Sequence, residues 1–190
     1  MTMPQQAEEL ALLRNDLAYH QARVLLLVTA VATSPGHQGR LDGLTKLAKL
    51  DFLLRYPALA ATVLDSLDQA DPRLCLTQDE AADPSNTEAP MTRYKYGPWD
   101  DRYYPVIGAL VGRGLIGYVQ SRRGSVALTP TRAGEALAAD MAASADWADI
   151  AERSSAIAEA SAGMTGNALK DLIYQRLATL MDRAYGEVIR

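Results

Sequence analysis

Apolar residues recur at helical spacing through most of this chain. Between residues 7 and 32, Leu10, Leu13, Leu17, Val24, Leu27 and Val31 fall on one stripe with His20 in its gap, which predicts a single long amphipathic helix. Pro35 and Gly36, in TSPGHQG, end it. A second helix is predicted in LDGLTKLAKLDFLLRYP, residues 41–57, with Leu44, Leu47, Leu50 and Leu54 inward and Lys46 and Lys49 outward. Pro57 stops that helix and opens a third, in which Leu59, Val63 and Leu67 share a face. Residues 71–91 lose the periodicity and gain prolines and acids, so they are expected to form a long surface loop or partly disordered insertion.

After this loop the pattern changes period. TRYKY alternates as a short strand, Gly97-Pro98 turns the chain, and Asp100 or Asp101 is placed to cap a helix. Pro105 is tolerated only in a first turn, so that helix should begin at residues 101–104 and run to Arg113, with Gly114 as its C-terminal stop. LIGYVQ and SVALTP are β-type runs joined by SRRG, a hairpin pattern, and a threonine-capped helix follows with Pro130 in its first turn. The last fifty residues are helical: Trp147, Ile150, Ser154 and Ile157 share one side, and Leu169, Ile173, Leu177, Leu180, Ala184 and Val188 line another helix.

Helix, glycine, strand, basic turn, strand, Thr-Pro, helix is the order of a winged helix, carried by residues 106–138. An isolated hairpin would leave Leu115, Ile116, Val119 and Val126 without a core. The expected fold is therefore mostly α with a small β-hairpin wing: an N-terminal helix over 1–34, a winged-helix domain over 35–140 with the 71–91 insertion, and C-terminal helices over 141–190. The terminal helices are long, and their stripes are expected to pack on each other and to support a homodimer.

Composition changes this picture little and charge changes it more. A chain 48% apolar and 22% charged is an ordinary globular one, and its longest apolar run, residues 24–33, is too short for a bilayer crossing. The N-terminus lacks the pattern of a secretion signal, and the single Cys75 has no partner for an internal disulfide, so a cytoplasmic location is expected with no membrane contact. From Arg93 to Arg132 there are seven basic residues against two acids, a local balance of +5 that leaves −9 for the remainder of a chain with net charge −4. Arg93, Lys95, Arg102, Arg113, Arg122 and Arg123 are the expected contacts to double-stranded DNA, through phosphates. The helix between Arg102 and Arg113 holds no Asn or Gln, so reading of base sequence is not expected from it.

The aromatic cluster beside Gly97-Pro98 is the candidate protein-binding feature. Tyr96, Trp99, Tyr103 and Tyr104 would supply large area with a polar handle, Trp99 and Tyr96 toward the core and Tyr103 or Tyr104 toward solvent. No catalytic set emerges. Adjacent Asp100 and Asp101 do not converge on a helix, His37 and Cys75 form a pair only by tertiary coincidence, and GRGLIG leads into a strand instead of opening a helix on a phosphate. No metal or other cofactor is expected, and His20 is expected as a core histidine.

The pairing of LTKLAKLDFLLRYP with the downstream YKYGPWDDRYYPVIGALVGRGLI resembles the small middle components of bacterial ABC-three component systems, relatives of Lamassu-type phage-defence complexes. The KL..L helix and later Tyr-Gly-Pro turn also resemble, more loosely, the Panacea antitoxin-like domain. The first resemblance covers residues 40–140 and implies a non-enzymatic adaptor of an SMC-like or ABC-type ATPase in antiviral defence. The second implies a dimeric winged-helix regulator or antitoxin-like repressor, and neither carries over a catalytic residue.

Overall fold

The computed structural model describes residues 16–85, 89–121 and 126–189. The first described helix, α1 (Leu17–Thr33), opens on Asp16, whose carboxylate accepts the Ala18 amide at 2.7 Å. It ends before Gly36, where φ of +90° lets the chain reverse. Strand β1 (Leu41–Asp42) leads directly into α2 (Gly43–Arg55). Pro57 then forces the break, leaving Tyr56 non-helical and standing at the first position of α3 (Pro57–Val63).

The described residues of the 71–91 segment, 71–85 and 89–91, are more ordered than their composition suggests. A 3₁₀ turn (Pro72–Leu74) and helix α4 (Gln78–Ala82) lie within them, the latter fixed by a reciprocal capping box between Thr77 and Glu80. Leu74, Ala89 and Met91 are buried, and Arg153 ties the segment down through Glu80 and the Cys75 carbonyl. Sparse apolar anchors and specific ion pairs hold this stretch, and neither leaves a periodic pattern in sequence.

The remaining elements are a hairpin of β2 (Thr92–Tyr94) and β3 (Gly97–Trp99), α5 (Tyr103–Gly112), β4 (Ile116–Gln120), β5 (Val126–Pro130), α6 (Arg132–Ala142), α7 (Ala148–Ala160), α8 (Gly166–Arg176) and α9 (Ala178–Met181). The chain is thus mostly helical, with two small antiparallel sheets. In the larger one the strand order is β1-β5-β4, with Leu41 opposite Leu128 and Leu128 opposite Tyr118. Helix α5 begins and ends where Pro105 and Gly114 require, whereas Pro130 belongs to β5 and Thr131 alone caps α6.

The C-terminal stripe does not form one helix. Helix α8 stops at Arg176, α9 adds one turn, and the chain then runs alongside β2: the Arg93 amide donates to Glu187 O at 2.7 Å and the Ile189 amide to Met91 O at 2.8 Å. Tyr56 clamps this tail, its hydroxyl donating to Ile189 O at 2.8 Å. Of the expected stripe, Leu169, Ile173 and Leu177 are buried within the chain, Leu180 is partly buried, and Ala184 and Val188 are exposed. Leu10 and Leu13 lie outside the described residues.

Helix α2 occupies the centre, packed against α1, α7, α8, β3 and the larger sheet. Every residue from Lys46 to Arg55 is buried, including both lysines that periodicity placed outward. The helix has no solvent face, because α8 and the β2-β3 hairpin cover the side that carries the charges. The carboxylate of Asp51, fully buried, accepts from Arg23 Nε at 2.8 Å, Arg55 Nη2 at 2.6 Å and the Tyr103 hydroxyl at 2.7 Å. Arg55 also pairs with Asp100 at 2.8 Å, and Asp100 with Arg102 at 2.8 Å. His20 sits between Arg102 and Arg23, its Nε2 2.6 Å from one guanidinium and its Nδ1 2.8 Å from the other. A neutral imidazole has one lone pair, so it accepts from one of them and abuts the other. His20 is therefore a buried, hydrogen-bonded core histidine, and its partners are the guanidiniums of an ionic ring.

The ring predicts a large penalty for removing one charge. Although burial disfavours a charged carboxylate, the neighbouring guanidiniums and the Tyr103 hydroxyl hold Asp51 below the ordinary range. Asp100 is likewise brought down to about 2 by Arg102 and Arg55, against the opposing effect of burial. Both lie below their unfolded values of roughly 4, so the stability they contribute is present above that pH and is lost as pH falls toward 2 and below. Asp51→Asn should destabilise by about 3–5 kcal/mol by taking the buried carboxylate from Arg23 and leaving Arg55 with Asp100 alone, a fall in Tm on the order of 10 °C by circular dichroism. Gly134→Ala should also destabilise, by about 1–3 kcal/mol, because an added Cβ would run into the Leu115 carbonyl against which α6 packs; unchanged thermal melting would contradict this packing account.

Candidate interaction surface

The two-residue turn at Lys95-Tyr96 brings β2 and β3 together, and their register sets Thr92 opposite Trp99 and Tyr94 opposite Gly97. The pairing stacks Tyr94 on Trp99, with ring centroids 5.6 Å apart. Trp99 meets Tyr103 edge-on at 5.3 Å and Tyr104 at 6.0 Å, and Tyr94 meets Tyr185 at 5.1 Å. The result is an aromatic surface on which Tyr96 is 52% exposed, Tyr104 65% and Tyr185 67%.

The expected orientations are partly reversed. Tyr96 points to solvent at the hairpin turn, where no element covers it, while Tyr103 is buried because its hydroxyl serves Asp51. Tyr103 therefore supports the surface from beneath and cannot contact a partner. Trp99 is half-buried, its indole N–H donating to Asp101 at 3.1 Å. Asp100 turns inward, its carboxylate accepting the Arg102 amide at 3.0 Å as well as the guanidinium, so it joins the ionic ring and also steers the chain into α5. Tyr185 joins this surface through the folded-back tail; its distance in sequence from the hairpin gave no signal of that.

The basic island is divided by the fold. Arg102 is committed to Asp100, and Arg93 donates to Met181 O at 2.9 Å while lying over the Tyr174 ring. Lys95, Arg113 and Arg132 are exposed, Lys95 beside the Tyr96 ring. Arg122 and Arg123 lie outside the described residues. The exposed side of α5 carries Tyr104, Pro105, Gly108 and Gly112, with Arg113 just beyond it.

Two cavities flank the first turn of α2 and share Leu44 and Thr45 as a wall. The larger, about 770 Å³, lies between the N-termini of α2 and α8 and contains His37 and Lys46. His37 bridges the Ala158 carbonyl at 2.7 Å and the Lys46 ammonium at 3.0 Å, and burial lowers the pKa of both groups. The smaller, about 280 Å³, lies beneath the aromatic surface and is lined by Lys49, Tyr94, Tyr96, Gly97, Trp99, Asp101 and Tyr104. Gly97 adopts φ of +96°, and a Cβ there would press on the Lys49 side chain and Tyr174. Cys75 is remote from this chemistry: its thiol donates to Pro72 O, and burial with the nearby Asp149 and Glu152 pushes its pKa up. Among the described residues no group of three or more His, Cys, Asp or Glu side chains is placed to hold a metal ion, and no helix is long and apolar enough to cross a membrane.

Lys49 is 1% exposed, and burial, reinforced by Arg93 and Lys170, lowers its pKa to about 8. Its unfolded value is near 10.4, so the destabilisation is full at neutral pH and is relieved as pH rises through 8 to 10. Lys49→Met should therefore stabilise the protein by about 1–3 kcal/mol at pH 7, and thermal melts should show the gain shrinking by pH 10. No protein-family model matches this chain, and neither a curated protein nor a solved structure matches it.

Proposed function

We propose that this protein is a non-enzymatic adaptor that docks a partner protein through the aromatic surface, on a frame of winged-helix type. The frame reading is supported by the element order α1, β1, α2, α5, β4, β5 and by the sheet order β1-β5-β4, with the 56–102 segment inserted between α2 and α5. In helix-turn-helix proteins the recognition helix presents side chains to base edges. Here the corresponding α5 presents Tyr104, Pro105, Gly108 and Gly112, which lack the bidentate donors and acceptors that distinguish bases.

One observation carries the docking reading: the exposed end of α5 is continuous with Tyr94, Tyr96, Trp99 and Tyr185, an aromatic patch of the composition that dominates protein-binding hot spots. The partner class is an SMC-like or ABC-type ATPase, with antiviral defence as the setting; this part rests on the sequence resemblance alone. Lys95, Arg113 and Arg132 are exposed and available for salt-dependent contact with duplex DNA, and the sequence alone adds Arg122 and Arg123 to that reading.

Capture of partners by the tagged full chain, with and without nuclease, tests the reading. A stoichiometric ATPase that survives nuclease is the expected result. The paired change Tyr96→Ala and Tyr104→Ala should reduce its capture by more than about tenfold with an unchanged melting temperature. Arg122→Glu with Arg123→Glu should leave capture intact and weaken only salt-sensitive DNA affinity. If one short palindrome binds about a thousandfold better than random duplex and no protein is retained, the chain is a regulator instead.

A further inference from the structure

Lys46 and Lys49 lie nearly one turn apart on α2, both buried, and their surroundings differ. Lys46 has His37 as a neutral acceptor, and Asp42 offsets its charge. Among the described residues Lys49 has one hydrogen-bond acceptor, the Pro98 carbonyl at 3.2 Å, and the charged groups that act on it are Arg93 from β2 and Lys170 from α8, both cationic. An ammonium carries three N–H donors, and isolated charges are strongly disfavoured in a protein interior. Lys49 is thus a buried cation acted on by two other cations, and it lines a cavity half of whose other lining residues are aromatic. The acid in that lining, Asp101, accepts the Trp99 indole N–H.

We propose that this cavity is a carboxylate pocket: it seats an Asp or Glu side chain from an extended segment of a partner protein against the Lys49 ammonium, beneath Tyr94, Trp99 and Tyr104. The inference deepens the docking reading above and rests on it. Charge selects the group. One ammonium in the lining matches one negative charge, whereas phosphate recognition draws on Arg clusters that this cavity lacks. The rim selects the source more than the cavity's volume, about 280 Å³, which sits at the lower edge of the roughly 300–1,000 Å³ of pockets that enclose free small molecules. Its rim is made by the exposed Tyr96 and Tyr104, so a chain lying across it would insert one side chain and rest its neighbours on the aromatic surface. Arg93 and Lys170, the latter paired with Asp171 at 3.0 Å, both act on Lys49 as like charges, and Lys95 stands at the hairpin turn, so the positive field around Lys49 favours an acidic segment electrostatically.

The test uses the full chain carrying Trp147→Phe, which leaves Trp99 as the one tryptophan. An array of capped, tryptophan-free pentapeptides with Asp or Glu at the centre, each paired with its Asn or Gln counterpart, is probed at physiological salt, and binders are titrated by Trp99 fluorescence. Acidic members should bind at least about tenfold more tightly than their amide counterparts. Lys49→Met, expected to fold at least as well as the parent, should bring that ratio close to one, while Tyr104→Ala should weaken both members of a pair. Equal affinity for acid and amide, an acid preference that survives Lys49→Met, tighter binding of a phosphoserine member, or no binding anywhere on the array would each overturn the proposal. If the stoichiometric partner is still captured by Lys49→Met and the acid preference is absent, this inference fails while the docking reading stands. Selective binding of acidic peptides through Lys49 without any captured protein would reverse that outcome.

Discussion

Asp51 holds a full negative charge at a point with no solvent, and the elements around it are arranged by what that charge requires. Arg23 brings α1 to it, Arg55 turns back from the end of the same helix, and Tyr103 brings the first turn of α5. Arg55 then reaches Asp100, Asp100 holds Arg102, and His20 closes the circuit to Arg23. Ion pairs of this kind often add little net stability compared with an apolar core, but removing one member leaves a stranded charge. The ring therefore acts mainly to specify the arrangement: α1, α2 and α5 dock in one relative register or leave a charge uncompensated.

That specification reaches the surface through Tyr103. Because its hydroxyl is held by Asp51, its ring stands fixed beneath Trp99, and Trp99 in turn supports Tyr94 and Tyr104. A rigid aromatic platform loses little side-chain entropy on binding, which is one way an interface gains affinity without added area. The ionic interior and the exposed aromatics thus form one continuous structure, and the docking function proposed here draws on both. Lys49 departs from this balance as a buried cation without an acid bonded to it, directly under the platform. Where a fold retains a destabilising charge beside an open cavity, ligand recognition is a reason for keeping it.

The fold also redistributes the basic island that made DNA contact an attractive expectation. Arg93 and Arg102 turn to the tail carbonyl and to Asp100, and among the described residues the basic ones that stay exposed are spread over the hairpin turn, the end of α5 and the start of α6. Such scattered charge suits weak phosphate contact and not base reading.

Much of the architecture was legible in the linear pattern. Pro57, Pro105 and Gly114 fix helix ends through backbone geometry alone, and alternation around SRRG marks the β4-β5 hairpin, so these boundaries follow from local rules that tertiary packing did not override. Most of the aromatic cluster could also be found in sequence, because its members from Tyr94 to Tyr104 sit within a dozen residues. What sequence could not supply was which faces are covered. Helical periodicity assigns Lys46 and Lys49 to the side opposite the leucines, which is true, but whether that side meets water depends on α8 and the hairpin, whose placement is non-local. The same limit applies to the tail, where Tyr185 and Ile189 reach β2 only because α8 breaks and the chain folds back. Sequence by itself determined the helix ends that Pro57, Pro105 and Gly114 set, since prolines and glycines act through adjacent backbone; only the tertiary structure decided where the C-terminal helix breaks, which charges are buried and which aromatics are exposed, since these depend on neighbours distant in the chain.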